Sequence, residues 1–194
     1  LEPRDRLTTE PPAVAMIGRL DGEPFLVSHR FAGAAHEITF CTHDKPYRLS
    51  QLCGVLAVND FTILSAFAFT RRDGKVVDVF LVAPIDREEP LTAEETLVRV
   101  ERIRSDLSKV FAGKLDLEEA SLKLAQRWRR RAKTRIPVPT QVKFENDLSQ
   151  DYTIIHVFAQ DRPGLLYTIT RTLSAHGLSI ARARISTEAT RAID

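Results

Sequence analysis

Cysteine, methionine and tryptophan are scarce in this chain: its 194 residues include two Cys, one Met and one Trp. Cys41 and Cys53 both fall in apolar periodic segments, which excludes a disulfide framework and reads as reduced core thiols. No apolar run is long enough to cross a bilayer, so a membrane-inserted protein is not expected. A one-signed charge excess is missing too. With 28 Lys+Arg against 26 Asp+Glu the net charge is +2, too small to argue for nucleic acid as a partner. No secretory leader is visible, and a cytoplasmic location is expected. Also absent are a phosphate-cradling glycine loop, a nucleophile–base set, and a Gly-Ser plus Asp-x-Asp nucleotidyl-transfer pattern. The segment is therefore expected to have no catalytic residues, no cofactor and no metal. Leu1 in place of an initiator Met leads us to expect a piece of a longer polypeptide.

What the chain does contain is a repeat. His36 to Pro46, followed by an apolar-periodic stretch and Phe61 to Leu64, returns as Thr153 to Pro163 followed by Leu178 to Ala181. A repeat of this length means one supersecondary module used twice, and a chain of this size has room for about two small domains, each near the limit for an independent core. In the first copy, Ile38, Phe40 and Thr42 alternate as a strand. Pro46 then precedes Leu49, Leu52, Cys53 and Leu56 at helical spacing. Phe61 to Arg71 and Lys75 to Val82 flank Asp73-Gly74 as a hairpin. Thr92 and Glu95 form a capping box for a helix with Leu97, Val100, Ile103, Leu107 and Val110 on one face.

The rest of the chain follows from the same signals. Val14 to Arg19 and Phe25 to Arg30 around Asp21-Gly22 predict a lead-in hairpin. Asp116 and Glu119 cap a further helix bearing Leu117, Ala120, Leu124 and Trp128. Gln141 to Glu145 is expected as the displaced closing strand of the first module. The second copy has Tyr152 to Ala159 as strand, Pro163 to Ala175 as helix, Gly177 as its stop and Leu178 to Thr187 as strand. We divide the chain into a flexible start (1–12), a lead-in β-hairpin (13–34), a first module with a helical insertion at about 115–135 (35–148), and a truncated second module (149–194).

Candidate chemistry concentrates in the turn Asp161-Arg162-Pro163-Gly164-Leu165-Leu166. Gly164, without a side chain, lets helix-start amides approach a carboxylate, while Asp161 can pair with an ammonium. The plainer reading is that Asp161 caps the helix and Pro163 starts it. Asp44, in the first copy, reads as a cap, and Tyr47 replaces the glycine. Ile63, Ser65, Phe67 and Phe69 are expected on one strand face, a packing surface formed by Ile63, Phe67 and Phe69. The aligned Ile180, Arg182, Arg184 and Ser186 would make a cationic face in the second copy, where Arg182 and Arg184 either hold a carboxylate or are simply solvated. His43-Asp44 looks like a metal-hydrolase dipeptide, yet His29, His36, His156 and His176 show no ligand spacing. The basic run Arg127 to Arg135 reads as a solvated helix end, because Trp128 continues the apolar face.

Two β-α-β-β-α-β modules with an Asp-x-Pro turn resemble the ACT family of regulatory small-molecule-binding domains, most closely in Asp161 to Tyr167 and Gly177 to Ile180. The tandem arrangement, Arg72-Asp73-Gly74 before Val77-Asp78-Val79-Phe80, the helical insertion, and Phe144 to Asp147 before Tyr152 resemble the C-terminal part of the PII uridylyltransferase/uridylyl-removing enzymes. The resemblance implies an α+β fold of ferredoxin-like modules, antiparallel sheets with helices on one face, the second incomplete. It implies an amino-acid ligand, by resemblance glutamine, at Asp161, Arg162, Pro163, Gly164, Leu165, Leu166, Ser179 and Ile180. It also implies the PII signalling protein as partner of the parent enzyme, a divalent metal such as magnesium in the parent's other domains, and possible self-association. Competing readings are a docking or dimerisation module without ligand, and the ACT pair of another amino-acid or alarmone enzyme.

Overall fold

The computed structural model describes residues 11–85, 89–131, 139–147 and 149–186. The chain opens with a helix, α1 (Pro11–Arg19), and a strand, β1 (Phe25–Ala32). The expected lead-in hairpin is thus corrected. Residues 14–19 are helical, and Met16 and Leu20 bury against Cys41, with Leu26 and Val77 partly buried around them. Met16 and Leu20 stand four apart, on one side of a helix. Asp21-Gly22 still turns, with Gly22 at φ 93°, but it joins helix to strand. The true hairpin partner of β1 lies downstream: β2 (Ala35–His43) pairs with it antiparallel from Phe25↔Thr42 to Ala32↔Ala35, around Gly33 at φ 65°.

The first repeat continues as α2 (Arg48–Val58), β3 (Phe61–Thr70), β4 (Lys75–Pro84) and α3 (Ala93–Phe111), followed by α4 (Leu117–Arg131). Thr92 and Glu95 make the expected capping box. The buried face of α3 runs through Thr96, Val100, Ile103, Leu107 and Val110, whereas Leu97 is exposed, one position off the expected stripe. The Asp116 carboxylate accepts from the amides of Glu118 and Glu119, capping α4. Phe40, Phe61, Phe80, Ile38, Leu52, Leu56, Ile103 and Leu107, all fully buried, fill the space between this sheet and its helices.

Beyond α4 come β5 (Gln141–Glu145), β6 (Ile154–Phe158), α5 (Leu165–Ala175) and β7 (Arg182–Ser186). The chain is α+β, with antiparallel sheets. The larger sheet has the order β1-β2-β4-β3-β7, and β5-β6 form a separate pair. The expectation that Gln141–Glu145 closes the first module is overturned: it pairs with β6, Gln141↔Phe158 to Glu145↔Ile154. The place beside β2 is already held by β1 through a tight local hairpin, and sequential strands pair most readily. The strand expected over Leu178–Thr187 is shorter as well. Ser179 and Ile180 precede it, and Thr187 lies outside the described residues. Gly177 ends α5 at φ 73°, with the Leu178 amide bonded back to the Leu173 carbonyl, which satisfies the last turn.

The repeats meet twice. β7 pairs antiparallel with β3, Phe69↔Arg182, Phe67↔Arg184 and Ser65↔Ser186, so the sheet runs from one repeat into the other. Above it, α5 lies on α2. Gly54 makes this possible, since a Cβ there would fall 2.9 Å from both Leu117 Cδ1 and Tyr167 Cδ2.

Candidate functional site

The turn that starts each repeat's helix has one backbone form. Gly164 stands at φ 76°, ψ 7°, ahead of α5, and Tyr47 at φ 64°, ψ 3°, ahead of α2. The left-handed conformation explains the glycine at once. Tyr47 accepts the same φ at a cost in strain, with its ring exposed. In both turns the amide after this residue bonds back three residues, Leu165 to the Arg162 carbonyl and Arg48 to that of Lys45. That donor is therefore already engaged in the turn. A Cβ on Gly164 would lie 3.3 Å from Ser121 Oγ of α4, and Arg171 of α5 is paired with Glu118. The inserted helix thus sits beside the second repeat's turn, which spacing alone did not suggest.

The predicted ligand residues are only partly assembled. Arg162, Pro163, Gly164, Leu165 and Leu166 form one half-buried turn, Leu166 packed against the main core, with Asp161 exposed at its start. Ser179 is exposed and Ile180 half-buried, in the segment leading to β7. Arg182 and Arg184 lie elsewhere. They pair with Phe69 and Phe67, and their neighbours Ala66 and Ile185 belong to the core side, so both arginines stand on the sheet face away from α2 and α5. They do not line the Asp161 turn.

The expected stripe on β3 is broken by a bulge. The register with β4 shifts between Ile63 and Ser65, so Ile63 pairs with buried Val82 and packs on the core. An extra residue in a strand reverses the face of everything beyond it. Phe67 is consequently half-buried and Phe69 40% exposed on the outer face, with no module over them among the described residues.

Two buried polar groups escaped the sequence reading. Asp78 on β4 is 1% exposed; burial first, then the Asp44 charge, push its carboxyl up to about 7, while the Phe69 amide pulls weakly the other way. Alternation along Val76, Asp78, Phe80 and Val82, all buried, was the available signal. His36, also buried, faces His29 at 3.1 Å between Nδ1 and Nε2, and burial lowers the pKa of both rings. Burial also pushes the Cys53 thiol well above its ordinary value, although a hydrogen bond with Thr170 of α5 opposes this. Among the described residues, no three His, Cys, Asp or Glu side chains converge as metal ligands. A cavity of about 430 Å³ opens between α1 and β1, lined by Met16, Arg19, Leu26, His29 and Arg104 among others. It touches none of the predicted ligand residues.

Comparison with known proteins agrees with this architecture. The ACR9-like, ACT-like domain family matches residues 141–194. The chain is 32% identical over 161 residues to the bifunctional uridylyltransferase/uridylyl-removing enzyme of Rhodospirillum rubrum, covering 83% of this chain and 17% of that protein. It is 34% identical over 155 residues to the enzyme of the same name from Cereibacter sphaeroides, covering 80% of this chain and 16% of that protein. It is 34% identical over 185 residues to that of Azospirillum brasilense, 91% and 19% of the respective lengths. The chain therefore spans less than a fifth of these relatives. No solved structure matches it. Residues 141–194 thus match an ACT-like domain, and the chain as a whole is similar to a short part of these bifunctional enzymes.

Proposed function

We propose that this segment is the regulatory, amino-acid-sensing part of a bifunctional uridylyltransferase/uridylyl-removing enzyme, with glutamine as ligand. The observation that supports this most is the likeness to those enzymes across both repeats, joined to a seam in which sheet and helices of the two repeats are shared. A ligand held at such a seam favours one mutual arrangement of the repeats over another, and a difference in affinity between two states is what allosteric control requires. The Asp161 turn supplies an exposed carboxylate for the ligand's ammonium, and the start of α5 a positive helix pole for its carboxylate.

Catalysis, on this reading, belongs to the remainder of the parent protein, which works in the cytoplasm on the PII signalling protein with a divalent metal such as magnesium. The segment alone neither transfers UMP to PII nor removes it. Isothermal titration of the chain with glutamine tests the reading. Saturable heat that Asp161→Ala weakens at least about tenfold, equivalent to 1.4 kcal/mol, supports it. A flat titration across millimolar glutamine rejects it in favour of a docking module without ligand.

A further inference from the structure

The middle of the larger sheet holds an acid that no cationic side chain meets. Among the described residues neither carboxyl oxygen of Asp78 has a hydrogen-bond partner of good geometry, the Phe69 amide acting on it only weakly, and the residue is 1% exposed. Its neighbours across the sheet are Phe40 on β2 and Ala68 on β3, and the same row continues from Ala68 to Ala183 in the second repeat. Thr42, fully buried, also has an unpartnered hydroxyl. It pairs with Val76 and so stands diagonally from Asp78 on the same face. Three oxygens without a partner thus lie on one buried face of the sheet, on diagonal neighbours.

The charges around them do not answer Asp78. Asp44, from the turn into α2, adds repulsion, and Cys53 of α2 presents a thiol held neutral by burial. Arg48 donates to the His43 carbonyl and Gln51 and lies over the Phe111 ring at 3.6 Å. Lys75 bonds Asp21 and the Ile17 carbonyl beside α1, on the other side of the sheet. From α5, the Thr170 hydroxyl donates to the Leu166 carbonyl and borders Cys53. Burying an ionised acid this thoroughly without a donor is strongly unfavourable, so Asp78 either keeps its proton or, once ionised, is met by a cationic donor.

We propose that Asp78 and Thr42 form the floor of a buried receptor for an ammonium group, carried either by free ammonium ion or by the amino end of an amino acid. An ammonium offers only donors and a full positive charge, the complement of these oxygens and of nearby Asp44. Its occupancy would bear on the seam, because the Asp78 row runs into β7 and Cys53 touches α5. The amino-acid form rests on the regulatory reading above; the free-ion form does not.

Thermal unfolding of the full chain at pH 8, where Asp78 is ionised, distinguishes these sources when sodium chloride, ammonium chloride and glutamine are compared at equal ionic strength. A ligand bound only by the folded state raises the midpoint, here by about 3 °C or more for ammonium over sodium. Asp78→Asn, and independently Thr42→Val, should remove that rise. If glutamine also raises the midpoint and the same variants abolish its effect, the group is the amino acid's; a rise with ammonium alone identifies the free ion. Should Asp78→Asn fail to fold, Thr42→Val decides. The proposal is overturned if neither ligand exceeds sodium in the wild type, or if the rises survive substitution. A glutamine rise untouched by the substitutions, without an ammonium rise, overturns it while leaving glutamine sensing at the Asp161 turn intact.

Discussion

The two repeats share a strand–turn–helix pattern but close their cores differently. The first has four strands, β1-β2-β4-β3, and a full layer of large buried side chains beneath α2 and α3. The second contributes Tyr167 and Thr170 as the buried residues of its helix, and Tyr167 is counted in the first repeat's core. Its strand β7 is added to the edge of β3, and β5-β6 stand apart. One local code therefore yields a self-sufficient module in one copy and a leaning one in the other. A small module gains the apolar burial it lacks by docking. An interface made this way is where a small ligand can change the arrangement most easily, since little else holds the second repeat in place.

The strongest way to break this comparison is to remove the anchor. Tyr167→Ala empties a site shared by α2, α4 and α5 and is expected to cost about 3 kcal/mol, as large aromatic truncations in cores do. Urea denaturation followed by circular dichroism should then show the second repeat melting before the first. A single transition at the wild-type midpoint would show that the repeats do not depend on each other as argued.

Asp78 gives an effect of comparable size, and it has a sign. Its folded-state pKa of about 7 lies above the usual 3.8, so the folded chain retains a proton that the unfolded chain gives up. Without a bound cation, stability falls as pH rises from about 4 to about 7 and is level above that, by at most roughly 4 kcal/mol at 1.36 kcal/mol per unit. Asp78→Asn should flatten this slope. Stability midpoints measured between pH 5 and 8 check it, and an equal slope in both proteins would show Asp78 to be paired in solution.

Gly54→Val follows. It adds a branched side chain where a single Cβ already meets Tyr167 at 2.9 Å, with an expected cost of about 1–3 kcal/mol from overpacking. Reduced protection of α5 amides in hydrogen exchange would report the separation of α2 from α5. The smallest effect is expected from Phe69→Glu on the outer face, within about 0.5–1 kcal/mol, because the ring is 40% exposed and the new carboxylate would face Arg182 across the strands. A larger loss, with a change in assembly state by light scattering, would mean that another copy covers this face.

Much of this was legible in the residues. The repeat, the capping box at Thr92, the Asp73-Gly74 hairpin and the stop at Gly177 all rest on local chemistry that tertiary context left alone. The misreadings share a cause, which is that local signals have more than one use. Asp21-Gly22 turns a chain whether a strand or a helix precedes it, so the turn does not distinguish α1 from a strand. Residues 141–145 look like a strand without saying whose, and the hairpin of β1 with β2 had already filled the place beside β2. The bulge after Ile63 carries no Gly or Pro to announce it, yet it sends Ile63 inward and Phe67 and Phe69 outward. For Arg182 and Arg184, alternation defines a shared face but not whether it holds a carboxylate or faces solvent, and both are exposed opposite Phe69 and Phe67.

The regulatory claim is tested most directly in the parent enzyme by titrating uridylyl transfer with glutamine in wild type and in Gly164→Tyr. The tyrosine can take the left-handed turn, as Tyr47 does, but its Cβ and ring would occupy the approach now bounded by Ser121. The account predicts a folded variant whose rate no longer responds to glutamine. A glutamine response identical to wild type would contradict it.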